Sequence, residues 1–241
     1  MATDTFTLNV NGLDVKVTRK DIKNLHLSVY PPDGQVRISA PRAMSEDALR
    51  LAIATRLGWI RRQQAKFVSQ ERQSQREMVG GESHYVWGIR YRLQIEEADS
   101  PPRVQLGGGK LLLQIRHGTS PEKRLEILNA WYRAEIKSRI PPLLDKWLPI
   151  VGVDIHEWGI KRMKTRWGTC NIEQKRIWLN LELAKKPPQC LEYVLVHELV
   201  HLLERHHNDR FRELMDKLLP LWKQYRDELN QYPLAHEEWK Y

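Results

Sequence analysis

His197-Glu198-Leu199-Val200-His201 is the segment of this chain whose residue types and spacing can do chemistry. On a helix, histidines at i and i+4 lie about 40° apart around the axis and one turn along it, so both imidazoles can reach one ion. Glu198 is offset by about 100° from His197. Its carboxylate is then placed to act on a water at the ion rather than to bind the ion itself. The chemistry this pattern suits is zinc-assisted attack of water on a carbonyl. The flanking residues Val194, Leu195, Leu199, Leu202 and Leu203 are apolar. A segment that apolar is not a solvated face, so the His and Glu within it need a reason to be there.

A catalytic zinc takes three protein ligands and keeps one position open. The candidates for the third are His206 and His207. On an unbroken helix His207 would sit about 240° around and about 9 Å along from His201, too far to share an ion. The helix is therefore expected to end near Glu204 or Arg205. Asn208-Asp209 follows as the N-cap of a new helix. The spacing His201-x5-His207 is that of zincins with a histidine third ligand, and it favours His207 over His206. Position 204 holds Glu where metzincins carry Gly. Glu213, on the next helix, is the minor, gluzincin-like alternative. Tyr193, Arg205, His206 and Arg210 are candidate donors to a developing oxyanion.

The elements that must position this segment are readable from periodicity and turn residues. Phe6–Val10 and Leu13–Thr18 flank Asn11-Gly12 and read as a hairpin. His26–Tyr30 and Gln35–Ser39 flank Pro31-Pro32-Asp33-Gly34 and read as another. A single helix is expected from Ser45 to about Val68, with Ser45 as N-cap. Strands follow over Tyr85–Ile95, with a turn at Trp87-Gly88, and over Leu111–Ile115. Ser120-Pro121 opens a long helix to about Arg139, and Pro141-Pro142 is expected to break it. Strands over Gly159–Trp167 and Arg176–Leu181, then three helices from Pro187 onward, complete the chain. No internal repeat is evident. The expected class is α+β: a β-rich N-terminal half (1–100) with one helix, and a zincin domain (101–241) of the minigluzincin type, with an active-site helix and antiparallel strands.

Composition narrows the function classes. The chain has 241 residues, of which 41% are apolar and 29% charged, which excludes disorder. The first ten residues lack the basic and apolar regions of a signal peptide, and no stretch is apolar enough to span a membrane. Two isolated cysteines, Cys170 and Cys190, fit a reducing compartment, so a cytoplasmic protein is expected. The net charge is +9. Residues 101–190 hold 17 basic and 8 acidic side chains, whereas 191–241 hold 7 and 10. The charge is thus concentrated just before the His-Glu segment, where Lys161, Arg162, Lys164 and Arg166 could steer a nucleic acid or another polyanion.

The run Arg162–Asn171 (with Trp167-Gly168-Thr169-Cys170), Ile177-Trp178-Leu179-Asn180, Tyr193–His201 and His207-Asn208-x-x-Phe211 resembles the YgjP-type metallopeptidases, small bacterial zincins related to the SprT-like proteases. Thr169 stands where that family usually has Ser. The resemblance implies zinc as cofactor, with His197, His201 and His207 as ligands and Glu198 as general base. It places Trp167–Cys170 on a hairpin beside the active-site helix. Arg166, Trp167, Tyr193, Arg205 and His206 are the candidate substrate contacts. A peptide strand could add beside 160–167 or 176–181. The implied substrate is a protein or peptide, including proteins associated with nucleic acid, as for some SprT-like relatives. The alternatives are a nucleotide (UTP) pyrophosphohydrolase and a non-enzymatic, zinc-containing nucleic-acid-binding module. The sequence sets no oligomeric state.

Overall fold

The computed structural model describes residues 4–30, 34–69, 77–163 and 166–231. Lys164 and Thr165 of the basic run, Pro31-Pro32-Asp33 of the second hairpin and the last ten residues lie outside them. The chain forms two compact units, divided between residues 73 and 74.

The first unit contains β1 (Thr5–Val10), β2 (Leu13–Lys20), β3 (His26–Tyr30), β4 (Gln35–Pro41), α1 (Glu46–Ala54) and α2 (Leu57–Ser69). The sheet order is β1-β2-β4-β3. β1 and β2 are an antiparallel hairpin, β2 and β4 run parallel, and β3 returns antiparallel to β4. Alternation along β2 and β4 buries Val15, Val17, Val36, Ile38 and Ala40 on one face, where Leu49, Ile53 and Ile60 close the core. The single helix expected over 45–68 is two helices. Thr55 ends α1 with its hydroxyl donating back to the Leu51 carbonyl at 3.0 Å, the local competition that disfavours threonine inside helices.

The second unit begins with β5 (Ser83–Val86), β6 (Ile89–Glu97), β7 (Arg103–Gly107) and β8 (Lys110–Ile115), followed by α3 (Pro121–Val151). The boundary expected at residue 100 is therefore misplaced. β6 pairs in parallel with β8, and Leu93, Leu111 and Leu113 share one core, so a cut at 100 would split a sheet.

The order of this sheet, β5-β6-β8-β7, and the senses of all its pairings reproduce those of the first unit. The correspondence is local as well. Asn11-Gly12 and Trp87-Gly88 are both left-handed two-residue turns. Val36, Ile38 and Ala40 correspond to the buried Leu111, Leu113 and Ile115. Ser45 and Ser120 both cap the following helix through their hydroxyls. The chain does contain a repeat, one of topology rather than of residues.

α3 continues through Pro141, Pro142 and Pro149 instead of breaking. Pro141 and Pro142 are exposed, so the carbonyls they leave unpaired one turn back can be hydrated. Ile136, Ile140, Leu144, Trp147 and Val151 meanwhile keep the buried stripe unbroken. After α3 come β9 (Glu157–Lys161), β10 (Gly168–Asn171) and β11 (Arg176–Asn180), a 3-10 turn (Leu181–Lys185), α4 (Pro188–Val200), α5 (Asp209–Leu218) and α6 (Trp222–Gln231). These three strands form a sheet in the order β10-β11-β9, with the expected antiparallel pairing between β10 and β11 and a parallel pairing between β11 and β9. No described helix is long and apolar enough to cross a membrane.

Candidate metal centre

α4 is buried almost all round, with Leu195, Val196, Leu199 and Val200 fully enclosed. It packs against β10 and β11, and against α3, α5 and α6. That enclosure fixes the two histidines of its last turn. The helix ends at Val200 with His201 as its C-cap, slightly earlier than expected, and the amides of Leu202, Leu203 and Glu204 close a tight turn. Asn208 then caps α5, accepting from the Phe211 amide at 3.0 Å. The turn and the new cap together bring His207 back onto the first two histidines.

The three imidazoles converge. Ligand atoms of His197, His201 and His207 all lie within 4.8 Å of one another. His197 Nε2 and His207 Nε2 are 3.0 Å apart. Two nitrogens on one tetrahedral zinc would sit about 3.3 Å apart, given Zn–N bonds of about 2.0–2.1 Å, so the observed spacing fits an ion. His201 Nδ1 lies 3.1 Å from the Glu204 carbonyl, which fixes the tautomer and leaves Nε2 free. His197 Nδ1 is buried and has no hydrogen-bond partner among the described residues. Phe211, 2% exposed, meets His197 and His207 edge-on and His201 at a tilt, at centroid distances of 4.9, 4.8 and 4.8 Å. Its role was not readable beforehand, although the spacing from the Asn208 cap was a signal. His206 and Glu213 are exposed and outside the cluster.

Glu198 projects beside this cluster and is 6% exposed. Burial pushes its carboxyl up to about 8, against the opposing pull of the Arg166 charge. Burial, followed by the neighbouring His201 and His207, pushes His197 down to about 3. The carboxylate lies directly against Gly168 of β10. A methyl group there would come within 2.6 Å of Glu198 Oε1 and 2.7 Å of its Cγ. Only glycine admits this approach, a requirement that no local pattern signals.

A cleft of about 1110 Å³ opens over the centre, lined among others by Arg166, Trp167, Tyr193, Glu198, Arg205 and His207. Four of the five expected substrate contacts face it. His206 does not, because its backbone is drawn into the turn by a 3.0 Å bond from its amide to the Glu204 carboxylate. Tyr193 stacks on Trp222 and meets His197 edge-on. Cys170 also lines the cleft, with its thiol pushed up to about 11 by burial and by Glu198.

The profile of the YgjP-like metallopeptidase domain matches residues 23–232. The chain belongs to the YgjP-like metallopeptidases. A search of curated proteins returned no match. Among solved structures, the zymogen of the metallopeptidase abylysin from Pyrococcus abyssi is similar over 39% of this chain and 97% of its own, at 22% identity and a TM-score of 0.34. Membership of the YgjP-like family makes the chain a peptidase and implies a divalent metal. The described residues offer one group of side chains able to hold it, His197, His201 and His207.

Proposed function

We propose that this YgjP-like protein is a zinc-dependent peptidase whose ligands are His197, His201 and His207 and whose general base is Glu198. The observation that carries the reading is the convergence of the three imidazoles beside a buried carboxylate at an open cleft. Three neutral nitrogen donors and no thiolate suit a catalytic zinc, which supplies Lewis acidity for a carbonyl. Glu198 takes the proton of the attacking water and returns it to the departing amine. Arg166, Arg205 and Tyr193 face the same cleft and supply donors to the carbonyl oxygen.

The strand arrangement supports an extended peptide as substrate. β11 is the centre of its sheet and has no edge to offer, which removes 176–181 as a docking strand. β10 pairs with β11 alone, and its residues 168–171 line the cleft. A peptide adding along that edge gains main-chain hydrogen bonds while its carbonyl lies near Glu198. The positive charges of Arg166 and Arg205 favour substrates that bring anionic groups, and a protein carrying bound nucleic acid brings the phosphates.

The test is zinc content together with cleavage of casein, with and without DNA. Glu198→Gln should keep one zinc per chain and lose about 10²-fold or more of the cleavage rate. His207→Ala should lose zinc. A Glu198→Gln protein that cleaves at the parental rate overturns the reading, as does hydrolysis of UTP with no peptide cleaved.

A further inference from the structure

Asn180 ends β11 and takes no part in the chemistry above, yet its side chain is 4% exposed and fully bonded. Its Nδ2 donates to the carbonyls of Met163 at 2.8 Å and Arg166 at 2.7 Å. Its Oδ1 accepts from the amides of Met163 at 3.4 Å and Glu182 at 3.2 Å. Its own amide donates to the Trp167 carbonyl at 2.9 Å. A side chain that donates twice and accepts twice in one buried place is an amide's task. A carboxylate cannot donate, and an aliphatic group can do neither.

What Asn180 fastens is the segment that carries Arg166 and Trp167 into the cleft. Arg166 is exposed and lines the cleft together with Glu198. A long exposed side chain samples many rotamers, so the place of its backbone decides what its guanidinium can reach. We propose that Asn180 is a positioning residue: by holding the Arg166 and Met163 carbonyls it presents the Arg166 guanidinium to the cleft beside Glu198, where it meets a carbonyl or carboxylate of the bound peptide. The proposal rests on the peptidase reading above. The competing role is purely structural, a cap on the 3-10 turn through the Glu182 amide.

A double-mutant cycle on the full, zinc-loaded chain separates the two. Asn180→Asp removes both donations and keeps the acceptor that caps the turn. Asn180→Asp and Arg166→Ala are each expected to lower kcat/KM by about 10- to 100-fold, the scale of a misplaced substrate contact. The double variant should lose no more than the worse single variant. Losses that multiply overturn the proposal, as does an Arg166→Ala protein that cleaves at the parental rate. A second measurement needs no turnover. In the Glu198→Gln background, the Kd of the same peptide should weaken about equally in Asn180→Asp and Arg166→Ala, with zinc content unchanged. Unequal or additive weakening overturns it. If Asn180→Asp does not fold, Asn180→Ser, which keeps one donor, enters the same cycle. A parent chain that binds the peptide but cleaves nothing sinks the peptidase reading, while the binding cycle still decides the role of Asn180.

Discussion

The sheet of the first unit and the leading sheet of the second share strand order, pairing senses, a left-handed hairpin turn and a serine-capped helix. They differ in what meets the turn. No atom outside its chain neighbours lies within 4 Å of a side chain added at Gly12, whereas at Gly88 it would meet Pro187 Cγ at 2.8 Å. The Trp87 amide donates to the Ala184 carbonyl at 2.8 Å, and the Gly88 amide to that of Lys185 at 3.3 Å. The Trp87 ring is held by Glu135 and by the Arg139 guanidinium over its face. The second turn therefore seats the start of α4, the helix that carries His197 and Glu198. The units differ in their interiors too. Among the described residues, every buried polar side chain (His84, Asn180, Glu182, Lys186 and Glu198) belongs to the second unit, and the first core is wholly apolar. The same arrangement of strands is a plain scaffold in one place and part of a reactive body in the other. What changes it is the segment docked on its turn.

The comparison can be broken most forcefully in the two cores. Leu195→Ala and Ile53→Ala each empty a site with no solvent exposure and should each cost about 2–5 kcal/mol. Only the first should also lower zinc content and peptidase activity. Equal loss of activity in both, followed with urea melts and cleavage assays, would mean that the first core supports the centre directly. The turns give a smaller contrast. Gly88→Ala adds a collision with Pro187 to the strain of φ +82 and should cost about 2–4 kcal/mol, with a visible fall in activity. Gly12→Ala carries only the strain of φ +77, about 1 kcal/mol, with activity intact.

The smallest effect concerns pH. Burial holds the Lys186 amine at about 8, below its ordinary 10.5. The unfolded chain then binds more protons than the folded one between those values, so the second unit should gain stability as pH rises from about 8 to 10.5. Lys186→Met should flatten that rise, measured as the urea midpoint against pH, while the first unit keeps its own profile. An unchanged slope would show that the amine is not held in this way.

The histidine cluster was legible because helix periodicity alone places His197 and His201 together, and the Asn208 cap requires a turn before His207. The hairpins were legible because left-handed turns select Asn-Gly and similar pairs. The repeat was not. A buried strand position asks only for an apolar side chain, and Val36, Ile38 and Ala40 against Leu111, Leu113 and Ile115 satisfy that demand with no shared residue. The prolines of α3 were misread because their cost depends on which face they occupy, and the buried stripe outweighed two lost hydrogen bonds. The parallel pairing of β6 with β8 joins segments across the supposed boundary, and no local pattern marks such a crossover. Gly168 and Asn180 stand in the motifs that carry the resemblance, but their duties are unreadable for a related reason: they are set by Glu198 and by the Met163, Arg166 and Trp167 carbonyls, which arrive from elsewhere in the chain.

All three imidazoles and the carboxylate come from residues 197–207. Loop-closure entropy grows with the length of chain to be closed, so little of it separates this group from its folded arrangement. A denatured chain can gather the same donors locally and so keep a part of the affinity that the folded arrangement provides. Stabilisation by a bound species depends on preferring the folded state, and it shrinks when both states bind. The melting temperature of this protein should accordingly respond to metal less than its affinity for metal would suggest.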